Sequence, residues 1–392
     1  MRYILGIDIG TTAIKGAVIG EDGKIYGTKT SEYPLTTLPT GEVEADLQLY
    51  INAFTQSIKG AVEDAKVDVA DIKCVGFSST AETCVFLDKY NEHLCKVIAW
   101  MDTRATKEAE YLTAHFDKKD IINKVGFDGI YAIHPVSKIL AVKNKNPEIF
   151  EKTRMFAQIK DYFIYRLTGE YYTDHSTASD HGFFDITNRC YWNEMLEFTG
   201  IKEEYLPKLV EPGTELGTIS REAALEFGLN PETKINVGAF DQGCGAIGAG
   251  NTKPGIASES TGSALVTVAT IDALNPDSQG DVPTLCSGIP GKYMYQPYCT
   301  GSIIMKWYRD IFCEAEKMVE EQTGLNAYTQ MDEMVKATPA GADGLIMLPY
   351  FQGSGIPELN EKAEGVYYGI NAGHTRGHFI RAIMEGLAIA LK

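Results

Sequence analysis

The sequence predicts a mixed α/β protein built as two domains. Three observations point there. The chain opens with three apolar strands, a helix and a fourth strand between Tyr3 and Ser78; strand and helix patterns keep alternating afterwards; and 392 residues exceed what one hydrophobic core usually organises.

Strand patterns at Tyr3–Ile9, Ala13–Ile19 and Lys24–Thr30 follow one another through short turns at Gly10 and at Asp22-Gly23, so they form an antiparallel meander. Leu47–Ala65 reads as a helix with Leu49, Ala53, Ile58 and Val62 on its apolar stripe, and Ile72–Ser78 as the next strand. Three strands, a helix and a strand in this order open a ribonuclease-H-like domain. Further strands are expected near Thr83–Leu87, Lys96–Ala99 and Lys234–Ala239, with helices near Lys107–His115, Val136–Asn144 and Lys160–Leu167. The glycine-rich stretch Gly248–Gly255 marks the break between the halves. Beyond it, Ile256–Glu259, the turn Ser260-Thr261-Gly262-Ser263 and Ala264–Ala269 repeat the strand, acid, small-residue turn and strand of the N-terminal hairpin. Helices near Ser302–Glu321 and Tyr328–Lys336, a strand at Leu345–Leu348 and a closing helix from about His378 to Leu391 complete the second half.

Composition narrows the class further. With 44% apolar and 23% charged residues the chain is of the globular type. A formal net charge of −17 offers no basic face for a nucleic acid. No apolar run is long enough to span a bilayer, so no membrane partner is expected. The eight cysteines include no CxxC pair and read as reduced residues of a cytoplasmic protein.

The chemistry concentrates at two acids. Asp8-Ile9-Gly10-Thr11-Thr12, with Lys15 just beyond, lies at the turn between two strands. Glycine permits a tight turn, successive N–H groups and two hydroxyls can cradle a phosphate, and the acid at the strand end can meet a metal. An ordinary hairpin is the plainer reading. Asp241-Gln242 stands between a strand and a glycine-rich helix start, where a carboxylate can accept a proton or simply cap the helix. Gly243, Gly245 and Gly248 match a dinucleotide fingerprint, but Pro254 and Gly255 cut the helix short, so they are read as a close-packing feature.

In this setting the chain resembles the FGGY family of carbohydrate kinases, which share the actin-like ATPase fold. The resemblance is carried by the DIGTT-x-x-K turn, Ser78–Thr83, Ala99-Trp100-Met101-Asp102-Thr103-Arg104, His134–Leu140, Lys160-Asp161-Tyr162, Thr173–Ser179, Gly238–Gln242 and, late in the chain, Leu348-Pro349-Tyr350 and His374-Thr375-Arg376. It implies two domains flanking a cleft. Residues 1–250 would be the N-terminal domain with the sugar site and first phosphate turn. Residues 251–392 would be an incomplete C-terminal domain with the second turn, because family members continue further.

The same resemblance implies transfer of the γ-phosphate of MgATP to a hydroxyl of a small sugar, sugar acid or polyol, with a xylulose-like ketose favoured. Asp241 would be the catalytic base and Asp8 the magnesium ligand. Gly10, Thr11, Thr12 and Lys15 would contact phosphate, opposed by Thr261, Gly262 and Ser263. Glu82, Thr83, Trp100, Asp102, Asp241 and Gln242 would line the acceptor pocket. Ala81 lacks the arginine of glycerol kinases and Glu82 replaces the histidine of xylulokinases. The alternative is a catalytically impaired or regulatory nucleotide- and sugar-binding protein of the same fold, and a homodimer is an open arrangement. His374 and His378 have the spacing of a helical metal pair but read as packing or capping residues.

Overall fold

The structure is a computed structural model that describes the chain except residues 263, 352, 355–359, 361 and 392. It divides into two units: Met1–Ile256 with Thr270–Met294, and Ala257–Ala269 with Tyr295–Lys392.

The first unit is organised by a six-stranded sheet. Its strands are β1 (Tyr3–Ile9), β2 (Ala13–Gly20), β3 (Ile25–Glu32), β4 (Ile72–Ser79), β5 (Glu215–Thr218) and β6 (Lys234–Phe240), in the order β5-β6-β4-β1-β2-β3. The meander β1–β2–β3 is antiparallel, whereas β1 and β6 both run parallel to β4. Parallel strands buried under helices need apolar residues on both faces. Leu5, Ile7, Ile9, Val75, Phe77, Ile235 and Val237, alternating along their strands, supply one such face and are buried.

Helix α1 (Leu47–Ala65) closes over this sheet. Asp46 caps it by accepting from the Gln48 amide at 2.8 Å, and Lys66 ends it in the left-handed region at φ 53°. The buried stripe is Tyr50, Ala53, Phe54, Ser57, Ile58 and Ala61; Leu49 and Val62, expected on it, lie at its margin. The helix packs closely on β3, where a Cβ on Gly27 would come within 2.3 Å of the Ala65 nitrogen. The Ser57 hydroxyl, which looks polar in the pattern, donates to the Ile14 carbonyl at 2.8 Å and so is satisfied inside the core.

A second sheet in this unit joins Thr36–Thr37, Val43–Ala45, Val97–Ile98, Cys84–Leu87 and Met155–Gln158. Helices α2 (Pro135–Lys145) and α3 (Ile159–Thr168), the single turn α4 (His175–Ala178) and α5 (Asp241–Gly248) complete the parts that concern the site.

In the second unit β7 (Ala257–Thr261) pairs antiparallel with β8 (Ala264–Ile271), which also pairs with β9 (Tyr298–Thr300). The single helix expected over Ser302–Glu321 is two, α6 (Ile303–Phe312) and α7 (Glu314–Thr323). Cys313 leaves the helical conformation at φ −118°, ψ 47° and is fully buried, a bend with neither proline nor glycine to announce it. Helix α8 (Ala327–Lys336), the pair β10 (Ile346–Leu348) and β11 (Val366–Tyr368), and helix α9 (Arg376–Ala390) pack around Ile304, Tyr308, Met331, Met347, Ile380 and Ile383. His378 closes a capping box with Thr375 and its Nε2 lies 3.0 Å from Asp343 Oδ2, so the pair His374/His378 belongs to a helix start.

Candidate active site

Strand register builds the site. Across the parallel ladders Asp8 of β1 stands opposite Ser78 of β4, and Ser78 stands opposite Ala239 of β6. Side chains that leave the ends of β1 and β6 are therefore separated by one strand, about 10 Å at the usual spacing. In open α/β sheets this carboxyl end is where ligands are met. Gly238 makes the register attainable. It holds φ at 68° where the β6–β4 pairing shifts, and a Cβ there would sit 1.7 Å from the Phe77 carbonyl oxygen.

Asp8 accepts from the Ser78 hydroxyl at 2.9 Å and pairs with Lys15, directly opposite on the hairpin, at 3.4 Å. Its side chain remains 35% exposed, leaving an accessible carboxylate edge. The Gly10 amide donates to the Ala13 carbonyl at 3.1 Å to close the turn, with Thr12 and Lys15 exposed beside it. Asp241 is the first residue of α5, the cap position belongs to Phe240, and Gln242 follows half-buried. Burial first, and then the charge of Asp8, push the Asp241 carboxyl from an ordinary 3.8 up to about 7.

A second set of loops converges nearby. Beyond β4 the Thr80 amide donates to the Ile9 carbonyl at 3.0 Å, and Glu82 follows in the left-handed region at φ 57°, a strained setting for a residue with a side chain. The fully buried Lys138 of α2 fixes that loop. Its ammonium donates to the carbonyls of Glu82 at 2.8 Å, Ala99 at 2.9 Å and Trp100 at 3.0 Å. Three acceptors match three N–H bonds. Thr83 is buried behind Glu82. The Trp100 indole N–H donates to the Thr11 hydroxyl at 2.8 Å, joining this loop to the Gly10–Thr12 turn. Glu82 is 8% exposed, and its carboxyl is raised to about 8 by burial, offset in part by Lys138 and added to by Asp241.

Asp102 differs from the other residues expected in the pocket. It is fully buried, and both oxygens are already engaged by the Arg104 guanidinium and backbone and by the Val43 amide. Meeting an acceptor hydroxyl would require breaking that set, so its position is that of an anchor for the loop. Thr261 and Gly262 lie at the β7 turn, where Thr261 donates to Glu259 at 2.8 Å and the Gly262 carbonyl accepts from the Ser302 amide at 3.0 Å. Ser263 lies outside the described residues.

Residues 3–248 match the family model of the N-terminal domain of the FGGY family of carbohydrate kinases, and residues 276–392 match that of its C-terminal domain. The chain belongs to the FGGY family of carbohydrate kinases. It is 29% identical over 394 residues to a xylulose kinase of Bacillus subtilis, and 29% identical over 392 residues to a gluconokinase of the same organism, spanning 76% and 74% of those proteins. A ligand-bound xylulose kinase and a gluconate kinase, both from Lactobacillus acidophilus, have similar structures. They give TM-scores of 0.88 and 0.87 at 26% and 27% identity, covering 100% of this chain and 77% of theirs. The fold is thus the actin-like, ribonuclease-H-like ATPase fold, and the chain is an ATP-dependent phosphotransferase with an alcohol group as acceptor.

Two residues of this carbohydrate kinase escaped the sequence reading. Lys138 was visible only as part of the His134–Leu140 motif, and its role depends on carbonyls from two distant loops. Asp180 follows the Thr173–Ser179 motif by one position and is 3% exposed. An acid in an otherwise uncharged stretch, Ser176-Thr177-Ala178-Ser179, was the available signal.

Proposed function

We propose that this kinase phosphorylates a small sugar, sugar acid or polyol, with a xylulose-like ketose favoured, and that Asp241 is its base. The carrying observation is the placement of Asp241 one strand from Asp8, with its carboxyl raised to about 7 by burial and by that neighbour. A carboxyl tuned near neutrality can take a proton from a hydroxyl as that hydroxyl attacks phosphorus.

Each surrounding residue has a part. The Gly10–Thr12 turn and Lys15 present N–H, O–H and ammonium donors for the spreading charge of the transferring phosphoryl group. For Thr261, Gly262 and Ser263 we keep the phosphate-binding role that the family resemblance implies. Glu82, Thr83, Trp100 and Gln242 form the acceptor wall, while Asp102 holds its loop through Arg104. Magnesium fits this donor set, because such sites use one or two carboxylates together with the nucleotide phosphates. Asp8 would hold it, and when bound it neutralises charge on the phosphate oxygens. We place the enzyme in the cytoplasm. The naming of relatives as kinases favours the enzyme over the regulatory alternative.

A coupled ADP-release assay against pentuloses, gluconate, glycerol and erythritol tests this reading, with Asp241→Asn as control. Acceptor-dependent ADP release that disappears in the variant supports it; full turnover by the variant, or no stimulation by any acceptor, overturns it.

A further inference from the structure

We propose that Asp180 is a third acceptor-binding carboxyl group, and that the pocket it completes takes uncharged polyhydroxy acceptors in preference to aldonates. This rests on the reading of Glu82 and Asp241 as acceptor-facing groups.

The backbone around Asp180 is fixed on both sides. The Ser179 hydroxyl accepts from the Cys286 amide at 2.9 Å, and the His181 carbonyl accepts from the Val136 amide at 3.0 Å. Val136 lies two positions before Lys138 on α2, and the Lys138 ammonium holds the Glu82 carbonyl. On the other flank, the Ser176 hydroxyl accepts from the amide of Phe240, the residue before Asp241, at 3.0 Å. Hydrogen-bonded neighbours thus carry Asp180 toward both other acids. The electrostatics agree, since burial and then the charges of Glu82 and Asp241 raise the Asp180 carboxyl well above its ordinary range.

Asp180 lacks the cation that meets two other buried aspartates of this unit. Asp102 meets Arg104, and Asp174 meets Lys160. Asp180 Oδ2 is enclosed and has no hydrogen-bond partner among the described residues. Buried carboxyl oxygens are rarely left so, and a hydroxyl of a bound polyol supplies the missing donor. A vicinal pair of hydroxyls can both donate and accept, which suits carboxyl groups in either protonation state.

Among the described residues, the cations around these acids are already engaged by protein groups. Recognition of an aldonate calls for a cation, best a guanidinium. Lys138 is consumed by three carbonyls, Lys160 by Asp174 and Thr177, Arg104 by Asp102 and Glu44, and Lys15 pairs with Asp8.

The test compares acceptor kcat/KM for D-xylulose, D-ribulose, erythritol and gluconate in the full chain and in Asp180→Asn and Asp180→Ala. The wild type is expected to favour its best neutral acceptor over gluconate by on the order of 100-fold. Asp180→Asn, which keeps the shape and the hydrogen bonding, should stay within about fivefold of wild type. Asp180→Ala should lose about tenfold or more, mainly through the acceptor KM, with the ATP KM unchanged. Gluconate turnover equal to that of the best neutral acceptor overturns the proposal, as does an alanine variant with wild-type acceptor KM. Should Asp180→Ala not fold, wild-type selectivity and the asparagine variant decide. An enzyme active on gluconate but on no neutral compound defeats this inference alone, while one that no acceptor stimulates defeats the acceptor-site reading with it.

Discussion

Two sets of carboxylates in the first unit behave in opposite ways. Asp174 is wholly enclosed, yet the Lys160 ammonium and the Ser176 and Thr177 hydroxyls hold its carboxyl below the ordinary range despite burial. Glu82 and Asp241 have no such ion pair among the described residues and are raised to about 8 and about 7, and Asp180 is raised well above its ordinary range. Asp174, Glu82 and Asp180 are buried and Asp241 is half-buried, so burial acts in both sets; a bonded counter-charge does not. Paired acids hold loops together, whereas acids raised without a bonded counter-charge are the kind that functional sites collect. Asp161 guards against a simpler rule. It too is raised to about 7 by burial, but its Oδ2 accepts from the Gln158 amide at 2.8 Å in the capping box that starts α3. A raised value marks a site only where geometry gathers several such groups.

The contrast can be broken most severely at the paired set. Lys160→Met leaves Asp174 charged and enclosed, so a stability loss of about 3–5 kcal/mol is expected, seen as a fall in Tm of about 10 °C. A change of under about 2 °C would mean that the pair contributes little and that the division drawn here is false.

The unpaired set should respond in activity first. Asp241→Asn is expected to lower acceptor-dependent ADP release by about 10²- to 10⁴-fold, the range of a lost general base. Stability should move the other way. An acid raised from 3.8 to about 7 in the folded protein favours the folded state while protonated, and its contribution is lost as pH climbs through that interval. At pH 8 the asparagine variant should therefore be more stable than wild type by on the order of 2 kcal/mol, and at pH 4 the two should coincide. Glu82→Gln should show the same sign over a window reaching about 8. Thermal melts of both variants between pH 4 and pH 9 check this, and a gain that grew toward acid would contradict the assignment.

How far these features could be read beforehand depends on their range in sequence. The meander and the extent of α1 were legible because they rest on local periodicity and turn glycines, and Tyr3–Ile9 and Leu47–Ala65 end where the pattern says. Asp8 and Asp241 were recognisable from short motifs around each. Three things were not legible. The bend at Cys313 has no local marker. The saturation of Asp102 depends on Val43, far back in the chain. The unmet oxygen of Asp180 follows from segments brought together only by folding. Long-range satisfaction of polar groups, rather than residue type, separates anchor from ligand contact.

The smallest expected effect concerns the indole that spans two loops. Trp100→Phe keeps the ring but removes the N–H bond to Thr11, and a neutral bond of this kind contributes about 1 kcal/mol. KM for ATP and for the acceptor should both rise about fivefold or less; an unchanged ATP KM would show that the bond carries no influence across it.

That bond has a wider meaning. Whatever steadies the Trp100 side steadies Thr11, and thermodynamic reciprocity requires the influence to run equally in reverse. An acceptor would then prime the nucleotide turn before chemistry begins, and idle hydrolysis of ATP would be restrained by the same indole N–H that links the two.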